Sequence, residues 1–158
     1  MNEGLIKAWN EVVKPQDTVW QLGDFTFLSN MEKVVDVLSR LNGHKHAVFG
    51  NHCHLLKKNR EFLVERGLFE SMYERKVLSV DKQKIVLDHF PGRSWNYSAH
   101  GGWQLHGHCH GTMEPYGKSV DVGVDAPFVL GYAPYRPLAY EEVKSFMDSR
   151  KQVNEFAK

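Results

Sequence analysis

Over its first sixty or so positions the chain alternates between the two periods of regular structure. Leu5, Ile6, Trp9, Val12 and Val13 are spaced i, i+1, i+4, i+7, i+8, which predicts an amphipathic helix that Pro15 stops. Thr18 to Leu22 is a short β-prone run ended by Gly23-Asp24. Ser29-x-x-Glu32 reads as a capping box opening a helix with Val34, Val35, Leu38 and Leu41 on one side, and Asn42-Gly43 closes it. His46 to Phe49 reads as the next strand, ended by Gly50-Asn51-His52, and a third helix is expected over 55–66 with Gly67 as its stop.

Beyond Gly67 the texture changes to strands. Phe69–Tyr73, Lys76–Val80, Lys84–Phe90, Gln104–His106 and Ser119–Val124 are expected to be extended, with Asp81-Lys82 as a hairpin turn and a final helix from Tyr140 to Glu155. The sum is a single domain over 1–158 of the α/β class, a sandwich with mixed sheets flanked by helices. One detail is out of pattern. In strand–helix–strand units each helix follows a strand and crosses back over the sheet, and here no strand precedes the first helix.

Composition narrows the function classes. With 42% hydrophobic and 25% charged residues, the 158-residue chain is globular rather than disordered. Lys plus Arg number 20 and Asp plus Glu 19, so the net charge of +1 supplies no global field for nucleic acid or anionic lipid. No run approaches the ~18 apolar residues of a membrane span, and the start has no secretory h-region. Cys53 and Cys109 form no CxxC pair, which points to a reducing, cytoplasmic setting, and both are expected to be small, partly buried residues. The histidines stand out: there are 9, and His89, His100, His106, His108 and His110 fall close together in sequence.

Four segments share one grammar, a strand end followed at once by ligand-type residues: Gly23-Asp24, Gly50-Asn51-His52, Asp88-His89 and Gly107-His108-Cys109-His110-Gly111. In open α/β sheets, sites form outside the carboxyl ends of strands. If these strands are neighbours, a carboxylate, an amide and several imidazoles converge, and mixed oxygen and nitrogen donors suit Mn, Fe, Zn or Ni.

The order GD, GNH, H, GHxH resembles the calcineurin-like metallophosphoesterase superfamily, and the flanks WNEVVKPQDTVWQLGDF and VDVGVDAP…YRPL are similar to a small single-domain bacterial and phage subgroup. The resemblance covers nearly the whole chain. It implies a metallophosphoesterase-like sandwich and a metal-dependent phosphoesterase acting on a phosphomonoester or phosphodiester, with metal-activated water as the nucleophile. It further implies that Asp24 bridges two metals, that Asn51, His89 and His108 complete one metal site, that His110 binds the other metal, and that His52 meets the phosphate and the leaving oxygen. Members of that superfamily normally begin with a strand ending in Asp-x-His, which this chain lacks. The first strand is therefore expected to be missing, one metal site well formed and the second depleted, and the bared sheet edge predicts a homodimer. The runner-up is a degenerate member that binds one metal or a nucleotide without turnover. A zinc-structural or nucleic-acid-binding module is disfavoured, because no finger spacing and no basic stripe is present.

Other polar residues carry less. Arg93 and His100, in the loop around 91–102, are candidates for substrate contact beside the plain reading of solvated loop residues. His44, His46 and His54 read as surface residues and His106 as a packed, hydrogen-bonded one. Lys57, Lys58 and Arg60 read as a solvated helix face.

Overall fold

The computed structural model describes residues 2–126, 131 and 135–152. The elements in chain order are α1 (Asn2–Val12), β1 (Thr18–Leu22), α2 (Met31–Arg40), β2 (His44–Val48), α3 (His54–Lys58), α4 (Arg60–Glu65), β3 (Ser71–Tyr73), β4 (Lys76–Val80), β5 (Gln83–Leu87), β6 (Trp103–His106), β7 (Ser119–Asp121) and α5 (Tyr140–Asp148). The class is α/β, with a parallel sheet in the order β1-β2-β3 and a mixed sheet in the order β4-β5-β6-β7. In the second sheet β4 and β5 are antiparallel, and β5, β6 and β7 run parallel. β1 lies at an edge, paired only with β2 among the described residues.

The period of two along β2 builds two cores. Ala47 points into a cluster with Val34 and Leu38 of α2, Leu56 of α3, Leu63 of α4 and Met72 of β3. Its neighbour Val48 points the other way, into a cluster with Ile85, Leu87, Trp103 and Val120 of the second sheet and Val143 and Met147 of α5. Trp20 and Leu22 of β1 pack against that second cluster. The first sheet is thus covered by helices on one face and by the second sheet on the other, and each fully buried aliphatic side chain contributes about 1.5–3 kcal/mol. No helix among the described residues is long and apolar enough to cross a membrane.

Local chemistry moved several boundaries. Asn30, rather than Ser29, caps α2, its side-chain oxygen accepting from the Glu32 and Lys33 backbone N–H groups. The helix expected over 55–66 is two short helices hinged at Asn59, whose side-chain amide donates to the Leu55 carbonyl. Asp81 and Lys82 do form the β4–β5 turn, both at positive φ (48° and 68°), as a two-residue hairpin requires. The expected final helix ends earlier, at Asp148, and its span beyond Gln152 lies outside the described residues. Ile6 of α1 and Val13 just after it are buried, but Val12 faces solvent. α1 is tied down by side chains instead, the Trp9 indole donating to the Asn42 carbonyl at 2.9 Å and Arg40 pairing with Glu3.

The capping geometry predicts that Asn30→Ala costs about 1 kcal/mol in urea denaturation. Ser29→Ala, which removes no cap, stays within about 0.5 kcal/mol.

Candidate functional site

Parallel pairing brings the carboxyl ends of β1 and β2 side by side, and two glycines allow their loops to touch. Gly23 has φ 99°, and a β-carbon there would fall within the His89 ring. A β-carbon on Gly50 would collide with the Asp24 carboxylate. Asp24 itself sits in the left-handed region at φ 51°, which a non-glycine residue adopts at a cost unless its surroundings hold it there. Three contacts do so. The His52 backbone N–H donates to Asp24 Oδ1 at 2.8 Å, and the Cys53 sulfur accepts from the backbone N–H groups of both Asp24 and Gly50 at 3.2 Å. Cys53 is buried, and that burial pushes its thiol pKa up.

The second sheet meets this corner through His89. Its ring is buried, with Nδ1 2.8 Å from the Leu22 carbonyl at the end of β1. A carbonyl only accepts, so Nδ1 donates its N–H to it, which leaves Nε2 as the ring atom turned to the loops of the first sheet. That atom faces Asn51 Oδ1 at 2.9 Å and Asp24 Oδ2 at 3.3 Å. Asn51 Oδ1 is also 3.0 Å from Nδ1 of His108, which is held at φ 68° at the end of β6. Asp24, Asn51, His89 and His108 are therefore brought together. Contacts of this kind between imidazole nitrogens and oxygens are satisfied by a proton on the ring nitrogen or by a cation held among the same atoms. Among the described residues no group of three or more His, Cys, Asp or Glu is arranged as a metal cage, and the amide Asn51 is the hub that links these side chains.

His110 goes elsewhere. At φ 48°, it turns its exposed ring to Asp125, with Nδ1 2.6 Å from Oδ2. The hydrogen bond to Asp125 raises the His110 pKa above the ordinary histidine range. The buried Asp121 braces the same loop, accepting from the backbone N–H of Gly111 at 3.0 Å and of Gly123 at 2.8 Å. His52 is exposed, its ring leaning on Phe27 with centroids 5.3 Å apart. Arg93 is exposed, and His100 is exposed at the end of the short turn Ser98–His100; among the described residues neither is bonded to Asp24 or His89. His46, expected at the surface, is instead half-buried, stacked on Trp20 at 4.5 Å and bonded to Ser71.

Sequence reasoning passed over Cys53 as a brace, and over Asp121 and Asp125. The two aspartates follow the same strand-end grammar, one ending β7 and the other in the turn just after it, and that signal was available. Asp88, also unassigned, is buried and pairs with Arg75 at Nε, 2.6 Å away. In chelator-treated protein the His110 ring titrates above an ordinary histidine, and Asp125→Asn returns it towards about 6.5, as read by NMR. With the folded pKa raised, the pair's contribution to stability is full below the unfolded value and fades as pH rises through the folded one.

No known family model matches the chain. It is 32% identical over 142 residues to the uncharacterized protein MJ1445 of Methanocaldococcus jannaschii, covering 85% of this chain and 69% of the archaeal one. It is 30% identical over 149 residues to the Gene 66 protein of Mycobacterium phage L5, covering 77% and 72%. Among solved structures it is similar in fold to the protein of unknown function AQ665 from Aquifex aeolicus, with a TM-score of 0.54 and 22% identity over 92% of this chain and 78% of that one.

Proposed function

The chain belongs to one family with these archaeal and phage proteins, and for it we propose a metal-dependent phosphoesterase built on a metallophosphoesterase-like sandwich. The observation that carries the reading is the convergence of imidazole nitrogens and carboxylate and amide oxygens at Asp24, Asn51, His89 and His108. Their separations of 2.9, 3.0 and 3.3 Å match the edge of a coordination octahedron, about 3.0 Å for ligand bonds near 2.1 Å. Mixed oxygen and imidazole donors fit Mn, Fe, Zn or Ni.

Those four residues would hold the ion. When bound, such an ion supplies Lewis acidity to a phosphoryl oxygen and brings a hydroxide within reach of neutral pH. The rest falls to the protein. The Leu22 carbonyl fixes the ring proton of His89 on Nδ1, so Nε2 stays turned to the ligand. The His52 N–H and the Cys53 sulfur fix Asp24 from its carboxylate and its backbone side. The exposed His52 imidazole is the group to donate a proton to the leaving oxygen.

A second reading, one bound metal or nucleotide without turnover, is favoured by a single observation: His110 is engaged with Asp125 rather than turned to the Asp24 group. The test is hydrolysis of bis(p-nitrophenyl) phosphate with Mn²⁺, alongside metal analysis. Phosphoesterase action predicts turnover that Asp24→Asn and His89→Ala each reduce by about 100-fold or more. Turnover indifferent to both substitutions overturns this site. Stoichiometric metal with no turnover under any divalent ion establishes the second reading.

A further inference from the structure

The loops that carry the site also carry two phenyl rings in water. Phe27, in the loop after β1, is 73% exposed and Phe90, in the loop after β5, is 46% exposed. Each sits against a site imidazole. Phe27 packs on His52 at 5.3 Å, and Phe90 packs on His108 at 4.6 Å and on His89 at 4.9 Å. Phe25 and Leu28, which flank Phe27 in the loop after β1, are by contrast withdrawn against the helical core. A ring of this size gains most by leaving water, so two rings left out beside the same imidazoles are unspent binding surface.

We propose that Phe27 and Phe90 recognise an aromatic substituent on the phosphate ester, the chemistry of a nucleobase or an aryl group. The inference rests on the phosphoesterase reading above. A phosphate held among Asp24, Asn51, His89 and His108 would place an ester substituent that passes His52 or His108 against the phenyl ring packed on that imidazole. Stacking needs no hydrogen-bond code, which matches a site whose apolar rim offers faces rather than donors. Phe27 and Phe90 set specificity; they take no part in the bond-breaking step.

The test is calorimetric binding to Mn²⁺-supplied protein of three probes: adenosine 5′-monophosphate, ribose 5-phosphate and inorganic phosphate. Adenosine monophosphate should bind about tenfold more tightly than ribose 5-phosphate. In Phe27→Ala and Phe90→Ala that ratio falls severalfold, in the double variant to near one, and Phe27→Trp retains it. Phe62→Ala serves as a control, removing an exposed phenyl ring on α4, where it meets Arg66. Its ratio should match the parent protein's. Phenyl phosphate binding as well as the nucleotide would assign the preference to any aromatic ring, and a tighter nucleotide would assign it to the base. Equal affinity for the nucleotide and ribose 5-phosphate in the parent protein, or a ratio that survives the double substitution, overturns the aromatic site and leaves the phosphoesterase reading standing. No binding of any probe, inorganic phosphate included, overturns both.

Discussion

The carboxylate of Asp24 lies where a β-carbon of Gly50 would be, and this close approach of two parallel strand ends is the constraint on which the rest of the site depends. It holds only because β1 and β2 pair in register from Thr18 opposite His44 to Leu22 opposite Val48, so both chains leave the sheet at the same level. The space that remains is closed by Cys53, whose sulfur accepts an N–H from each loop. A side chain on Gly50, or a one-residue slip of the register, would move Asp24 away from His89 and turn the buried alternation of β2 inside out.

The two sheets are joined at this corner as well as across the core. His89 comes from the second sheet, yet its Nδ1 hydrogen bond ends on the last carbonyl of β1 in the first. One imidazole therefore fixes the relative position of the two layers at their carboxyl ends, where Val48, Ile85, Leu87 and Trp103 fix it through packing. The strand ends also collect strained backbone. Asp24, His108 and His110 all have positive φ, a conformation that costs about 1–3 kcal/mol per residue and persists where contacts over-determine it. Those contacts are the Cys53 and His52 bonds at Asp24, the Asn51 bond at His108, and the Asp125 bond at His110.

Much of this was legible along the chain. β1 and β4 fall where alternation and turn residues put them, and Gly23-Asp24 and Gly50-Asn51 announce sharp departures from strands. The errors have local causes. Asn30 displaced Ser29 as a cap because its amide oxygen reaches two N–H groups. Asn59 broke a helix by bonding back to Leu55, an alternative open to short polar side chains that periodicity does not register. Val12 fits the helical stripe but is left exposed at the end of α1.

The sequence by itself determined the α/β class, the strand ends that bear the polar groups, and the identity of those groups, because each follows from local periodicity and from glycine at the turns. Only the tertiary structure decided which of them meet. Asp24, Asn51, His89 and His108 converge because the strands that bear them end at one corner of the sandwich, and His110 does not, because the chain beyond β7 returns an aspartate to it first. Convergence of residues as far apart in sequence as Asp24 and His108 is set by strand pairing and sheet packing, which act across the chain and leave no periodic trace along it.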